Sequence, residues 1–159
     1  MNLCPFAASP YRGGRVHFEI SRQRSAAGLL QDLIDALNEL QRAHPEQRET
    51  TLLIHPWVLK DFEEYNQFLE VCDATVADMG LEGELQVASF HPDYKFAGTA
   101  PRDVENCTNR SPFPTQHLLR EDSVTRAVEA TNTEEIYLNN IQTLRELGHD
   151  GWLDLWRDH

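Results

Sequence analysis

Polar and apolar residues alternate through "RVHFEI" (15–20), which puts Val16, Phe18 and Ile20 on one side of an extended strand. The period then lengthens. In "SAAGLLQDLIDALNELQRAHP", Leu29, Leu30, Leu33, Ile34, Leu37 and Leu40 recur at helical spacing, with Ser25 as N-cap and Pro45 as stop. "TTLLIHP" (50–56) is a short β-branched and apolar strand that ends at a proline. A second helix over roughly 57–79 would turn Phe62, Tyr65, Phe68, Leu69, Cys72, Val76 and Met79 inward, with Gly80 just past its end. "ELQVASFHP" (84–92) is a third strand, again closing on His-Pro.

The order β-α-β-α-β predicts a small, mainly parallel sheet covered by helices, because strands separated by whole helices normally run parallel. A ferredoxin-like α+β arrangement is the alternative. It needs a direct hairpin, and no Asn-Gly or similar turn lies between two of these strands to make one. From Asp93 to Gln116 the periodicity vanishes, a stretch longer than the usual loop of about 12–15 residues, as expected of a functional loop. A short helix near 117–130 should follow, then "TEEIYLNNIQTLRELG", with Thr133 as cap and Gly148 as terminator. The tail "DGWLDLWRDH" reads as an amphipathic helix docking Trp152, Leu155 and Trp156. With no repeat or linker, all 159 residues read as a single α/β domain.

Charge narrows the function. A formal net charge of −12 makes nucleic acid a poor partner, since phosphate backbones repel such a surface. No apolar run reaches the roughly 20 residues needed to cross a bilayer, and "MNLCPFAASPYRGG" lacks the layout of a secretory signal. Cys4, Cys72 and Cys107 form no pair at metal or redox spacing, which fits a reducing cytoplasm. Arg12, Arg15, Arg22, Arg24, Lys95, Arg102, Arg110 and Arg120 fall in two segments, 12–24 and 95–120. Were those segments to meet, an acidic protein would carry one positive pocket suited to carboxylate or phosphate.

The two His-Pro endings locate a site. In a parallel sheet, His55 and His91 would leave the same carboxyl edge, where open α/β folds bind ligands, and the long loop leaves from that edge too. His91 and Asp93, two apart, would project together as a base and its orienting carboxylate; the plainer reading is a structural pair. His117, Arg120 and Glu121 would share a helical face, where the plain alternative is a salt bridge. Arg110 is the foremost ligand-contact residue, with Ser111 and Thr115 capping the short helix toward an anion. Cys4 is either packing or a nucleophile served by His91 or His117. A metal could be held by His55, His91, Asp93 and His117, although no HExxH or CxxC is present; Ser-His-Asp and phosphate-loop motifs are absent, so no cofactor is assigned.

At "NLCPFA", "ASFHPDYKFAGT" and "NRSPFPTQHLLRED" the chain closely resembles the bacterial domain-of-unknown-function family 1415, over nearly its whole length. The resemblance implies a small bacterial cytosolic protein and brings no activity or cofactor. In that family a helical segment usually precedes the LCPFA-like motif, which implies either a natural short form or a start upstream of Met1. Cys4, His91, Asp93, Asn109, Arg110, Ser111, Pro112, His117, Arg120 and Glu121 lie in the matching motifs, and none takes a role from it. The residues themselves point to an enzyme acting on a small anionic metabolite, with His91 as acid or base, Asp93 orienting it and Arg110 and Arg120 holding the anion. A non-catalytic ligand-binding or regulatory module in the same pocket, with Asn109, Ser111 and His55 as further contacts, is the second reading, and a metal-dependent protein the third. Substrate and oligomeric state are not encoded in any motif.

Overall fold

The computed structural model describes residues 8–130 and 133–155. A short helix α1 (Ala8–Arg12) leads into strand β1 (Val16–Ile20), followed by helix α2 (Ala26–Arg42), β2 (Thr50–Ile54), α3 (Phe62–Asp78) and β3 (Leu85–Phe90). A 3-10 helix (Val104–Asn109) interrupts the long connection before β4 (Thr115–Arg120), and α4 (Glu121–Ala130) and α5 (Thr133–Asp154) follow among the described residues. Local signals set the helix ends. The Ser25 hydroxyl accepts the Gly28 amide, and the Asp61 carboxylate accepts the amides of Glu63 and Glu64 at the start of α3. Gly80, at φ 68°, takes the left-handed position that stops α3.

The sheet is mixed and not mainly parallel. Its order is β1-β2-β4-β3, with β1 and β2 parallel and β4 antiparallel to both β2 and β3. The expected βαβαβ run is present, but β4 inserts between β2 and β3. The expected helix at 117–130 therefore starts only at Glu121, and the irregular stretch ends at Pro114. All six β4 residues are buried, so the strand has no polar–apolar alternation to betray it. The ferredoxin-like alternative is not formed either: β3 and β4 pair through residues 91–114 and not through a tight hairpin.

One face of the sheet carries the core. Leu53, Leu85 and Leu118 pack with Leu29, Leu33, Leu37 and Leu40 of α2 and Phe68, Cys72 and Val76 of α3. Val16, Phe18 and Ile20 do share a side, but it is the opposite one, and Phe18 and Ile20 are 54% and 58% exposed. A satellite cluster joins Cys107, Leu144 and Trp152, so the tail docks on the 3-10 helix through Trp152, where Arg145 also pairs with Glu105 at 2.7 Å, whereas Leu155, expected to dock too, is exposed. Gly148 breaks the α5 axis at φ 67° as its position demanded, though helix resumes beyond it. Trp156 lies outside the described residues.

Because β4 runs against its neighbours, β1, β2 and β3 all point the same way. His55 and His91 therefore leave the same edge, although the strands that carry them are not adjacent. The proline-rich segment runs between them, with the His55 amide donating to Pro114 O (3.0 Å) and the His91 amide to Asn109 O (3.1 Å).

Candidate functional site

At that edge the two imidazoles are fully buried. The Tyr65 ring lies between them, with centroids 5.9 Å from His55 and 5.0 Å from His91, and Phe62 stacks beside it. Each histidine has a structural task. His55 Nδ1 lies 3.0 Å from Val58 O and must be the protonated nitrogen there, leaving Nε2 buried with no partner. His91 Nδ1 accepts the Asp93 backbone amide at 3.0 Å, so its Nε2 is the donor to Leu59 O, at 3.3 Å. Asp93 thus meets His91 through its amide, while its side chain is exposed. Burial pushes the His55 pKa down to about 4, against the weaker upward pull of Val58 O, and lowers that of His91 as well. Both rings are neutral staples on the β2–α3 connection, one at Val58 and one at Leu59. Leu59 sits at φ 54°, a conformation that costs a residue with a Cβ about 1–2 kcal/mol and that its bond to His91 helps to hold.

The other expected site residues separate. His117 and Arg120 do not share a helical face: they lie on β4, three apart in a strand, and so point to opposite sides of the sheet. His117 Nε2 pairs with Thr50 Oγ1 at 2.7 Å on the strand beside it, and burial lowers its pKa to about 4. Arg120 reaches under α2 and donates to Leu40 O, Ala43 O and Arg48 O, closing the carboxyl end of that helix. Arg110 braces the loop, donating from Nε to Tyr94 O (3.2 Å) and from NH2 to Pro101 O (2.5 Å). Asn109 Nδ2 donates to Ser89 O. The Ser111 and Thr115 hydroxyls both donate to Phe113 O, so neither caps a helix. Cys4 lies outside the described residues; Cys72 and Cys107 are buried, and burial raises both thiols, that of Cys72 to about 12.

The basic segment 12–24 fares differently. Ser21 Oγ donates to Asp32 Oδ2 (2.6 Å) and Gln23 Nε2 to Asp32 Oδ1 (3.0 Å), which fastens the β1–α2 turn to α2. With residues 21 and 23 turned inward, Arg22 and Arg24 are left exposed. Among the described residues neither forms a salt bridge. Together with Ile20 and Trp57 they line an open hollow of about 430 Å³, and the Arg24 guanidinium lies 6.0 Å from the Trp57 ring centre. Trp57 rides on the connection that His55 and His91 staple. Arg22 and Arg24 belong to the basic segment visible in the sequence; Trp57, outside it, carries a signal of its own as an aromatic directly after His55-Pro56 at a strand's carboxyl end. The two basic segments do not merge: no residue of 95–120 lines this hollow.

Among the described residues, His55, His91, Asp93 and His117 do not converge as metal ligands; the group that does is His17, Glu19 and Glu39. No described helix is long and apolar enough to cross a membrane.

The family model for DUF1415, described as a protein of unknown function, matches residues 1–154. The chain belongs to that family. All three motifs that carried the resemblance fall inside the matched span. No curated protein and no solved structure matches the chain. Within this DUF1415 fold, His91, Asn109 and Pro114 of these motifs pack at the carboxyl edge, while Ile20, Arg22, Arg24 and Trp57 line an open hollow at the carboxyl ends of β1 and β2.

Proposed function

We propose that the protein is a binding module for a small anion that carries a planar group, held at the carboxyl edge of the β1–β2 pair by Arg22, Arg24 and Trp57. The observation that carries this reading is the hollow itself, lined by Arg22, Arg24 and the exposed Trp57 indole, with neither guanidinium in a salt bridge among the described residues. Guanidinium forks suit carboxylate and phosphate oxygens, and an indole face gives a planar ligand a surface on which to stack. The amino end of α2 rises from the same turn, adding its positive dipole end. A net charge of −12 keeps extended polyanions away and leaves a local basic spot for a small one.

Acid–base catalysis by His91 is the rival reading, and the geometry favours binding without chemistry. A base must reach its proton through a free nitrogen. Both His91 nitrogens are engaged by Leu59 and Asp93, and the ring is fully buried. The test is thermal unfolding with phenyl phosphate, inorganic phosphate and benzyl alcohol. Phenyl phosphate at about 100 times its Kd should add about 2.7 kcal/mol to the stability of the native state, and each half-probe should add less. An Arg22→Ala/Arg24→Ala double variant should lose that gain. Equal stabilisation of wild type and double variant would refute the reading.

A further inference from the structure

Two half-buried groups on β1 have no polar partner among the described residues. His17 and Glu19 alternate with Phe18 and Ile20, so they turn toward the helical side of the sheet. There α2 presents Asp32, Asp35 and Glu39, a stripe at helical spacing. One potential ligand atom from each of His17, Glu19 and Glu39 lies within 4.8 Å of the other two. Among the described residues neither His17 nor Glu19 takes part in a salt bridge, in contrast to Glu39, whose Oε2 lies 2.8 Å from Arg48. Burial raises the Glu19 carboxyl above its ordinary range, with further upward pushes from Glu39, Asp32 and Asp35 that Arg48 only partly offsets. His17 is held down by burial and by Arg48, against Glu39. Glu19, Glu39, Asp32 and Asp35 thus gather around the single Arg48 guanidinium, beside an imidazole that makes no hydrogen bond among the described residues.

We propose that His17, Glu19 and Glu39 form a binding site for a divalent transition metal of the zinc class. One imidazole and two carboxylates are a ligand set that zinc accepts, at bond lengths of about 2.0–2.2 Å, with the remaining coordination position open to water. Such bonds place neighbouring donors roughly 3–3.5 Å apart, so the three atoms close by a modest side-chain movement, which the exposed Glu39 can supply. The imidazole selects against magnesium and calcium, which prefer all-oxygen cages. Arg48 can keep one oxygen of Glu39 while the metal takes the other, an outer contact that orients a metal-bound carboxylate. This site lies on the helical side of β1 and is independent of the Arg22–Trp57 hollow.

The test is calorimetric titration of zinc chloride into the full, untagged chain after chelator treatment, with magnesium chloride as control. Wild type should bind one zinc per chain with no magnesium heat. His17→Ala and Glu39→Gln should each weaken zinc at least about tenfold. Glu39 is an exposed helix residue, so Glu39→Gln keeps the fold even if a strand substitution does not, and circular dichroism checks both. His44→Ala, at an exposed histidine outside the cluster, should leave binding unchanged. Absence of zinc binding at millimolar concentration overturns the proposal, as does a Glu39→Gln variant that binds like wild type.

Discussion

Replacing Tyr65 by phenylalanine removes one oxygen from the centre of the carboxyl edge. The Tyr65 hydroxyl donates to Thr115 O at 2.9 Å and accepts the Phe90 amide at 3.1 Å. Phe90 and Thr115 are register partners at the end of the β3–β4 ladder, so the phenol serves there as a rung between two strands. Its ring is fully buried and would stay packed against His55, His91 and Phe62 in the variant, so the loss is confined to hydrogen bonding. Two bonds at about 1 kcal/mol each set a floor near 2 kcal/mol. A buried amide and carbonyl left without partners raise the figure to about 4 kcal/mol. Urea unfolding followed by circular dichroism reads this directly. With a slope of about 2 kcal/mol per molar for a domain of this size, the midpoint should fall by roughly 1–2 M at unchanged slope. A loss below about 0.5 kcal/mol would refute the reasoning, because it would mean that the strands bond each other directly and the phenol carries no rung.

Arg120→Met keeps the apolar stem but strips the closing donor from Leu40 O, Ala43 O and Arg48 O; a loss of about 3 kcal/mol in the same urea assay is expected, and a loss under 1 kcal/mol contradicts the capping role. His55 and His117, each held down to about 4 in the folded state, bind protons more weakly there than in the unfolded chain. Stability should therefore be intact above pH 6.5 and fall as pH drops from 6.5 toward 4, by up to about 3 kcal/mol per histidine; a flat profile across that window in pH-dependent urea unfolding contradicts their burial as neutral rings. Cys72 and Cys107, with raised thiol pKa values, should resist Ellman's reagent at pH 8, so the native protein should show at most one fast-reacting thiol per chain and three after denaturation.

What could be read from the chain follows from where its information is local. Helices α2 and α3 announce themselves because each buries one side and the period shows it, whereas the period of β1 marks Phe18 and Ile20, which end up exposed. β4 does not announce itself. It is covered on both faces, and its polar residues are matched by groups far away in sequence: His117 by Thr50 on β2, and Arg120 by carbonyls at the end of α2. No window around "TQHLLR" contains those partners, and Leu118, Leu119 and the following acids mimic the start of a helix. The shared edge of His55 and His91 was legible because proline must end a strand. Their use as staples was not, because it depends on how the β2–α3 connection folds back over them. His17, Glu19 and Glu39 escaped for a similar reason: His17 and Glu19 read as the solvent side of an amphipathic strand until α2 is laid across it.

The position at which an anion binds distinguishes the Arg22–Trp57 hollow from the His91–Arg110 segment. Amide and indole chemical shifts of the isotope-labelled protein, followed while phenyl phosphate is added, report that position residue by residue. Saturable shifts at the amides of Arg22 to Gly28 and at the Trp57 indole, with little movement from His91 to Arg110, are the predicted result. Shifts centred on His91, Asp93 and Arg110 instead, or no saturable shift at all, would contradict it.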